Sequence, residues 1–204
     1  MTRLTRADVS CHLRKKNCVL QTPLQMLRTT LITTGWLSWW AQAILSTVSG
    51  VLLLFANSVS TGASAFAIVG RAFALGGLGC SIGSALWTFK YSRLASKLGA
   101  KPETSNGEAA SMARGIVDFG TMLNMLGMLL CLVGAEAIVG TLAAKALTTS
   151  QAAVLGVAAS PVQALDLLIV QANTNTLAAH FVGLCASLRL LRAASACEDL
   201  IDTA

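Results

Sequence analysis

Five polar side chains interrupt the last apolar stretch of the sequence, and their spacing is that of a helix face. Asp166, Asn173 and His180 recur every seven residues, which places them on one side of a helix, with Gln171 and Asn175 close by. Polar groups inside a membrane are costly and mark a functional site by default. Three interpretations remain: a cation path, hydrogen bonding between helices, and ligation of a metal-centred pigment by the His180 imidazole.

Four ionisable residues form a second candidate site near the ends of apolar stretches. Counting at about 1.5 Å per residue assigns Arg71, Glu136, Lys145 and Asp166 to the same membrane face. Two of them are positive and two are negative. They predict either an ion-pair cluster that holds the helices together or a polar vestibule for an ion or a polar segment.

No catalytic constellation of a soluble enzyme accompanies these residues. The sequence contains no HExxH motif, no phosphate loop and no recognisable Ser/His/Asp set. Its six cysteines show no CxxC spacing, so a metal site or a disulfide framework has no support from the pattern. We therefore predict a protein that is not an enzyme and that has no assignable metal site.

The composition indicates that the chain folds in a lipid bilayer. Of its 204 residues, 54% are hydrophobic and 12% are charged, and the mean hydropathy is +0.67. A soluble protein carries roughly 25% charged residues, and half that complement cannot coat a folded surface in water. The prediction is an all-α integral membrane bundle of four transmembrane helices in contact with lipid. Its excess of Lys and Arg then reflects membrane topology rather than nucleic-acid binding.

Apolar and charged segments divide the chain into three parts. Residues 1–33 form a basic arm, whose first 20 residues have the composition of a retained targeting segment. Thr22 and Pro23 begin a helical leucine pattern in this arm, which predicts an interfacial helix or an extension of the first span. A transmembrane domain follows at 34–192, and an acidic tail at 193–204. The predicted spans are about 34–57, 65–89, 115–147 and 162–191.

The basic residues predict the orientation of these spans. With four spans, the N-terminus, a polar loop at 90–114 and the C-terminus share one side of the membrane. All of the 15 Lys and Arg residues except Arg71 and Lys145 lie on that side. The positive-inside rule assigns it to the stroma, cytoplasm or matrix. Ser105 and Glu108 predict a capping box for the third helix.

Glycines on the second span predict a face for close helix packing. Gly76, Gly79 and Gly83 lie on this span, and the last two form a GxxxG pair. Small residues let helix backbones approach closely where no hydrophobic effect drives association. Packing against another span and docking of a partner subunit are the two interpretations.

Several short motifs resemble a known family. The fourth span carries ALD at 164–166, VQAN at 170–173, NTL at 175–177 and HF at 180–181, and similar motifs recur at 35–38, 87–91 and 144–148. The chain resembles a plastid and cyanobacterial family of four-span inner-envelope proteins, described both as translocon subunits and as chloroplast iron permeases. The resemblance implies a plastid membrane, either the inner envelope or the thylakoid, and a role in protein import or metal-ion permeation.

An alternative function is that of an accessory subunit in a photosynthetic supercomplex. The apolar outer surface and the glycine face would then contact neighbouring subunits and pigments. Chlorophyll, carotenoid or lipid would be the cofactors of such a subunit, whereas iron would be the substrate of a permease. Both hypotheses predict the bilayer and other membrane subunits as partners, and neither involves nucleic acid.

Overall fold

A computed structural model describes residues 6–59, 65–101, 103–156 and 164–202. They form the α-helices α1 (Arg6–Val59), α2 (Ala65–Trp87), α3 (Phe89–Ala100), α4 (Asn106–Leu155) and α5 (Ala164–Asp202), with no strand among the described residues. Within these ranges, four stretches are long and apolar enough to cross a membrane: Pro23–Val59, Ile68–Ala100, Asn106–Ala152 and Ala164–Glu198. The predicted all-α fold with four membrane-spanning segments is confirmed.

The helices contribute to two compact units. Unit 1 comprises Met1–Leu37, Thr88–Phe119 and Ala186–Ala204, and unit 2 comprises Ser38–Trp87 and Gly120–Cys185. Unit 2 contains a small aliphatic core made of Leu53, Ala56, Ala74, Leu78, Ile138, Ile169 and Ala172.

Helix α1 continues from the basic arm into the first span, which is the second of the two alternatives predicted for this arm. Pro23 lies inside α1, which begins at Arg6, so no separate helix starts at this proline. Leu27 and Leu31, whose spacing suggested a face toward lipid, are buried within unit 1 at 1% and 0% exposure. Arg28 donates a hydrogen bond from Nε to the Ala95 carbonyl at 3.1 Å, so it also faces protein. Packing of the leucine face against protein explains why the helix continues through the proline.

A helix also occupies much of the predicted loop at 90–114. Helix α3 buries Tyr91, Leu94, Ala95 and Leu98, which lie three or four residues apart as an amphipathic helix requires. The many charges in this segment suggested a loop, but the three that fall on α3, Lys90, Arg93 and Lys97, lie on its exposed face. The helix ends at Ala100, and Lys101 follows with φ −123° and ψ 76°, outside the α region that a following proline disfavours.

Helix α4 is longer than predicted at both ends. It begins at Asn106, and the Ser105 hydroxyl accepts a hydrogen bond from the Glu108 backbone N–H at 3.2 Å, which confirms the predicted cap. It continues without a break to Leu155, beyond the predicted end of the third span at about residue 147. Gly156, with φ +66°, follows as a left-handed C-terminal residue. The predicted helix start at Ser160–Gln163 lies outside the described residues.

The predicted acidic tail forms the end of α5, which extends to Asp202. Within unit 1, the Arg114 guanidinium forms an ion pair with Glu198 and donates a hydrogen bond to the Ser195 hydroxyl at 3.2 Å. These contacts attach the C-terminal turns of α5 to the first part of α4.

Candidate functional site

The interior of unit 2 is polar, and α1 supplies one of its walls. Ser38, Gln42, Ser46 and Ser49 are all buried and lie three or four residues apart, so they share one face of α1. We refer to these four residues as the α1 polar face. Ser38 belongs to the motif at 35–38, but a buried polar face was not predicted here, although small polar residues at helical spacing within an uncharged span were a visible signal.

The α1 polar face is hydrogen-bonded within its own helix and to two others. Gln42 donates from Nε2 to the Ser38 hydroxyl at 2.7 Å. The Ser46 and Ser81 hydroxyls are also 2.7 Å apart, which links α1 to α2. Ser49 donates to the Ala172 carbonyl of α5 at 2.8 Å. Such bonds join membrane helices where the hydrophobic effect provides little driving force.

The predicted stripe on α5 divides into an inner and an outer part. Asn173 is 3% exposed and donates from Nδ2 to the Cys131 carbonyl of α4 at 2.9 Å. Gln171 and Asn175 bond to each other at 2.9 Å on the exposed side of the helix. The structure therefore brings Asn173 and His180 into the interior of unit 2 and leaves Gln171 and Asn175 outside it.

His180 joins three helices. Its imidazole is fully buried, with Nδ1 3.0 Å from Asn124 Oδ1 on α4 and Nε2 3.1 Å from the Gly77 carbonyl on α2. The ring occupies space that Gly127 leaves open, because a Cβ added at Gly127 would overlap it. Asn124 donates from Nδ2 to the Gly120 carbonyl at 2.9 Å, which orients its amide oxygen toward the imidazole.

Two buried acceptors in this interior have no hydrogen-bond partner among the described residues. They are the amide oxygens Oε1 of Gln42 and Oδ1 of Asn173, whose side chains are 0% and 3% exposed. A buried acceptor without a donor is costly, so each such group in a native protein requires an explanation. Amide oxygens can also accept a cation or its water shell.

Two of the four charged residues predicted to cluster, Lys145 and Asp166, form an ion pair. Lys145 donates from Nζ to both Asp166 carboxylate oxygens, at 3.0 and 3.1 Å, and Asp166 retains 15% side-chain exposure. Glu136 lies exposed on α4. Arg71 lines a small crevice with Leu53, Asn57 and other residues of unit 2. Asp166 is thus part of an ion pair and is separated from the buried Asn173 and His180.

Close backbone packing in unit 2 involves different glycines from the predicted ones. A Cβ added at Gly79 would meet nothing within 4 Å, and one at Gly76 or Gly83 would make an ordinary contact at 3.5 Å with Leu130 or Leu123. Tight contacts between α2 and α4 occur at Gly70, Gly77, Gly127 and Gly134, and α5 adds the contacts of His180 with Gly127 and of Gly183 with Asn124. Gly70 and Gly77 on α2 are seven residues apart, as are Gly127 and Gly134 on α4. The GxxxG motif has a spacing of four and does not include such pairs. Gly79 therefore stays a candidate for the other predicted role of these glycines, the docking of a partner subunit.

The described residues contain no group of three or more His, Cys, Asp or Glu side chains arranged to hold a metal ion. Large apolar side chains instead cover the outside of the spans. In unit 2, Leu54 is 71% exposed and Met122 72% exposed. An exposed apolar surface of this extent requires contact with lipid or with other membrane subunits.

An apolar exterior, a hydrogen-bonded polar interior and four long apolar helices define a multi-span helical membrane protein. A family model described as "Protein of unknown function (DUF3611)" matches residues 21–194, and the chain belongs to this family.

The chain is also similar to Protein TIC 21, chloroplastic, from Arabidopsis thaliana. The two are 39% identical over 166 residues, which cover 78% of this chain and 54% of that protein, so the chain spans about half the length of this relative. No solved structure matches the chain. The match confirms the family resemblance and supports a chloroplast multi-pass membrane protein. It does not favour the photosystem alternative.

Proposed function

We propose that the protein is a plastid envelope permease that conducts a cation through the polar interior of unit 2. Iron is the first candidate substrate, because iron permeation is one of the two activities implied by the family resemblance. Imidazole nitrogen and amide oxygen are suitable ligands for divalent transition metals. The observation that carries the proposal is the pair of buried amide oxygens, on Gln42 and Asn173, that have no partner among the described residues.

Conduction requires the interior to open, because its polar groups are joined by hydrogen bonds in the described conformation. Asn173 bonds to the Cys131 carbonyl, and His180 bonds to Asn124 and Gly77. Separation of the α5 face from α4 would free these groups to replace part of the hydration shell of an ion. Bonds of this kind in membrane proteins average about 0.6 kcal/mol, so such an opening is energetically accessible.

Protein import is the other activity that the resemblance implies, and it would involve other membrane subunits. The relative is named as a chloroplast protein, which supports the plastid location. Because this chain spans about half of that protein, the activity of the whole relative is not transferred to it.

Substitution of Asn173 by leucine is expected to lower iron flux severalfold. The substitution keeps a side chain of similar size but removes the buried amide oxygen, which is the feature that supports permeation. The measurement uses the full chain in liposomes that contain an iron-quenched fluorophore, with Fe²⁺ added outside.

The matched control is Asn175→Leu, which removes an amide that bonds to Gln171 on the exposed side of the same helix. Flux through this variant should equal that of the unmodified chain. If the Asn173→Leu and Asn175→Leu variants conduct iron at the same rate as each other, the buried face of α5 is not part of the path. If the unmodified protein conducts no faster than empty liposomes, the permease proposal fails and import remains.

We further propose that the N-terminus, the segment 90–114 and the C-terminus face the stroma, as their basic charge indicates. In a chain whose native cysteines are replaced by serine, a cysteine at exposed Lys101 should react with an impermeant maleimide only after the envelope is permeabilised. A cysteine at exposed Ser150 should react before permeabilisation. The opposite order of labelling would reverse the assigned orientation.

A further inference from the structure

Unit 1 contains a basic groove between α3 and α4 that the permeation proposal does not use. The groove has a volume of about 430 Å³. Its cationic side is formed by Lys90, Arg93 and Lys97, which are exposed and occupy one face of α3. Of the described residues that line it, none is acidic. The groove therefore carries a concentrated positive charge.

The floor of the same groove is apolar. Leu94 is buried at its base, and the half-buried side chains of Met112 and Ile116 on α4 complete it. A free inorganic anion would be bound by the cations and would leave this floor in contact with water. A ligand with both an anionic group and a hydrocarbon portion would use both sides of the groove.

The position of the groove along α4 matches the headgroup layer of a membrane. It lies beside the first turns of α4, which carry Glu108, Arg114 and Asp118. Such a density of charge is too costly for the hydrocarbon core. A second groove of about 430 Å³ on α3 is lined by Arg93, Lys97 and the exposed ring of Phe89, and aromatic rings are enriched at this level of the bilayer.

We propose that this groove binds one acidic glycerophospholipid. The phosphate is held by Arg93 and Lys97 with Lys90 beside it, and the first part of an acyl chain packs on Leu94, Met112 and Ile116. Basic pockets between membrane helices recognise anionic headgroups in this way. Because the proposal concerns unit 1 alone, it does not depend on whether unit 2 conducts ions.

The test is native mass spectrometry of the full chain in detergent, titrated with phosphatidylglycerol or with phosphatidylcholine. The unmodified protein should retain one phosphatidylglycerol molecule at lipid concentrations where no phosphatidylcholine is retained. The variant R93Q/K97Q should bind phosphatidylglycerol roughly 25-fold more weakly, since each Lys or Arg near an anionic membrane surface contributes about 1 kcal/mol.

The matched control is R189Q/R192Q, which removes two exposed cations of unit 1 that do not line the groove. Its affinity for phosphatidylglycerol should equal that of the unmodified chain. Equal weakening in both double variants, or none in R93Q/K97Q, would overturn the proposal. Displacement of phosphatidylglycerol by millimolar inorganic phosphate would also overturn it, because the groove would then be a simple anion site. Circular dichroism of each variant verifies that the helices are intact.

Discussion

Gly127→Ala is expected to lower the free energy of unfolding by about 1–3 kcal/mol, the usual cost of overpacking a well-filled core. The added methyl group would overlap the His180 imidazole and would also approach the Cys80 Cβ to 2.8 Å. A flexible side chain could move aside, but this ring is held at both nitrogens, by Asn124 and by the Gly77 carbonyl. A neutral imidazole has a single N–H and donates to only one of these two oxygens, and any displacement of the ring weakens that hydrogen bond. The measurement is unfolding in mixed micelles with increasing dodecyl sulfate, followed by helical circular dichroism.

Gly79→Ala is the matched control for this substitution. It changes a glycine of α2 at which an added Cβ meets nothing within 4 Å, so it should cause no loss of stability. Alanine also has the higher helix propensity, which opposes any loss. If Gly127→Ala is as stable as Gly79→Ala, the close packing of His180 against α4 is incorrect.

His180→Leu is expected to cost about 1–3 kcal/mol of stability. Leucine is close to histidine in volume, so the main change is the loss of the imidazole nitrogens that lie against Asn124 and Gly77. The Asn124 amide oxygen would be left buried without this partner, and a buried acceptor that loses its partner carries its full desolvation cost. The same unfolding measurement in mixed micelles reports the change.

The double variant His180→Leu/Asn124→Leu should recover part of this loss, because replacing both hydrogen-bond partners by apolar groups removes the buried acceptor. Phe181→Leu is the control, since that neighbouring side chain is 61% exposed on the outside of α5. A double variant less stable than His180→Leu would show that Asn124 and His180 do not act as a pair.

These two predictions concern stability, whereas the flux prediction concerns Asn173. His180 and Asn173 lie on the same face of α5, but their side chains differ in their hydrogen-bond partners. Both His180 nitrogens face an oxygen acceptor, while the Asn173 oxygen has no partner among the described residues. We therefore expect His180 to hold the helices together in the described conformation, whereas the Asn173 oxygen is available to an ion before the interior opens.

Local features of the sequence were sufficient for the membrane-spanning class and the number of spans. Hydropathy along a segment of about 20 residues decides whether it can cross a bilayer, and this depends on composition alone. The cap at Ser105 was also predictable, because a serine hydroxyl reaches the backbone N–H of Glu108 three residues ahead without help from the rest of the fold. The family resemblance rested on short motifs and was equally independent of packing.

Tertiary contacts decided which polar residues face inward. An ideal helix drifts about 20° per heptad, so the seven-residue spacing of Asp166, Asn173 and His180 could not determine their surroundings. Asp166 forms an ion pair with Lys145, while the other two are buried. The α1 polar face and the partners of His180 depend on residues distant in the chain, as Ser49 and Ala172 illustrate.

The sequence by itself thus determined that this protein spans a membrane four times, because apolar length is a local property of each segment. Only the tertiary structure decided where α3 forms and which glycines permit close packing. Helix α3 is stabilised by burial of Tyr91, Leu94 and Leu98 against protein, which outweighs the polar composition that suggested a loop. Gly77 and Gly127 rather than Gly79 lie at tight contacts, because the side of a helix that meets a neighbour is set by the neighbour's position.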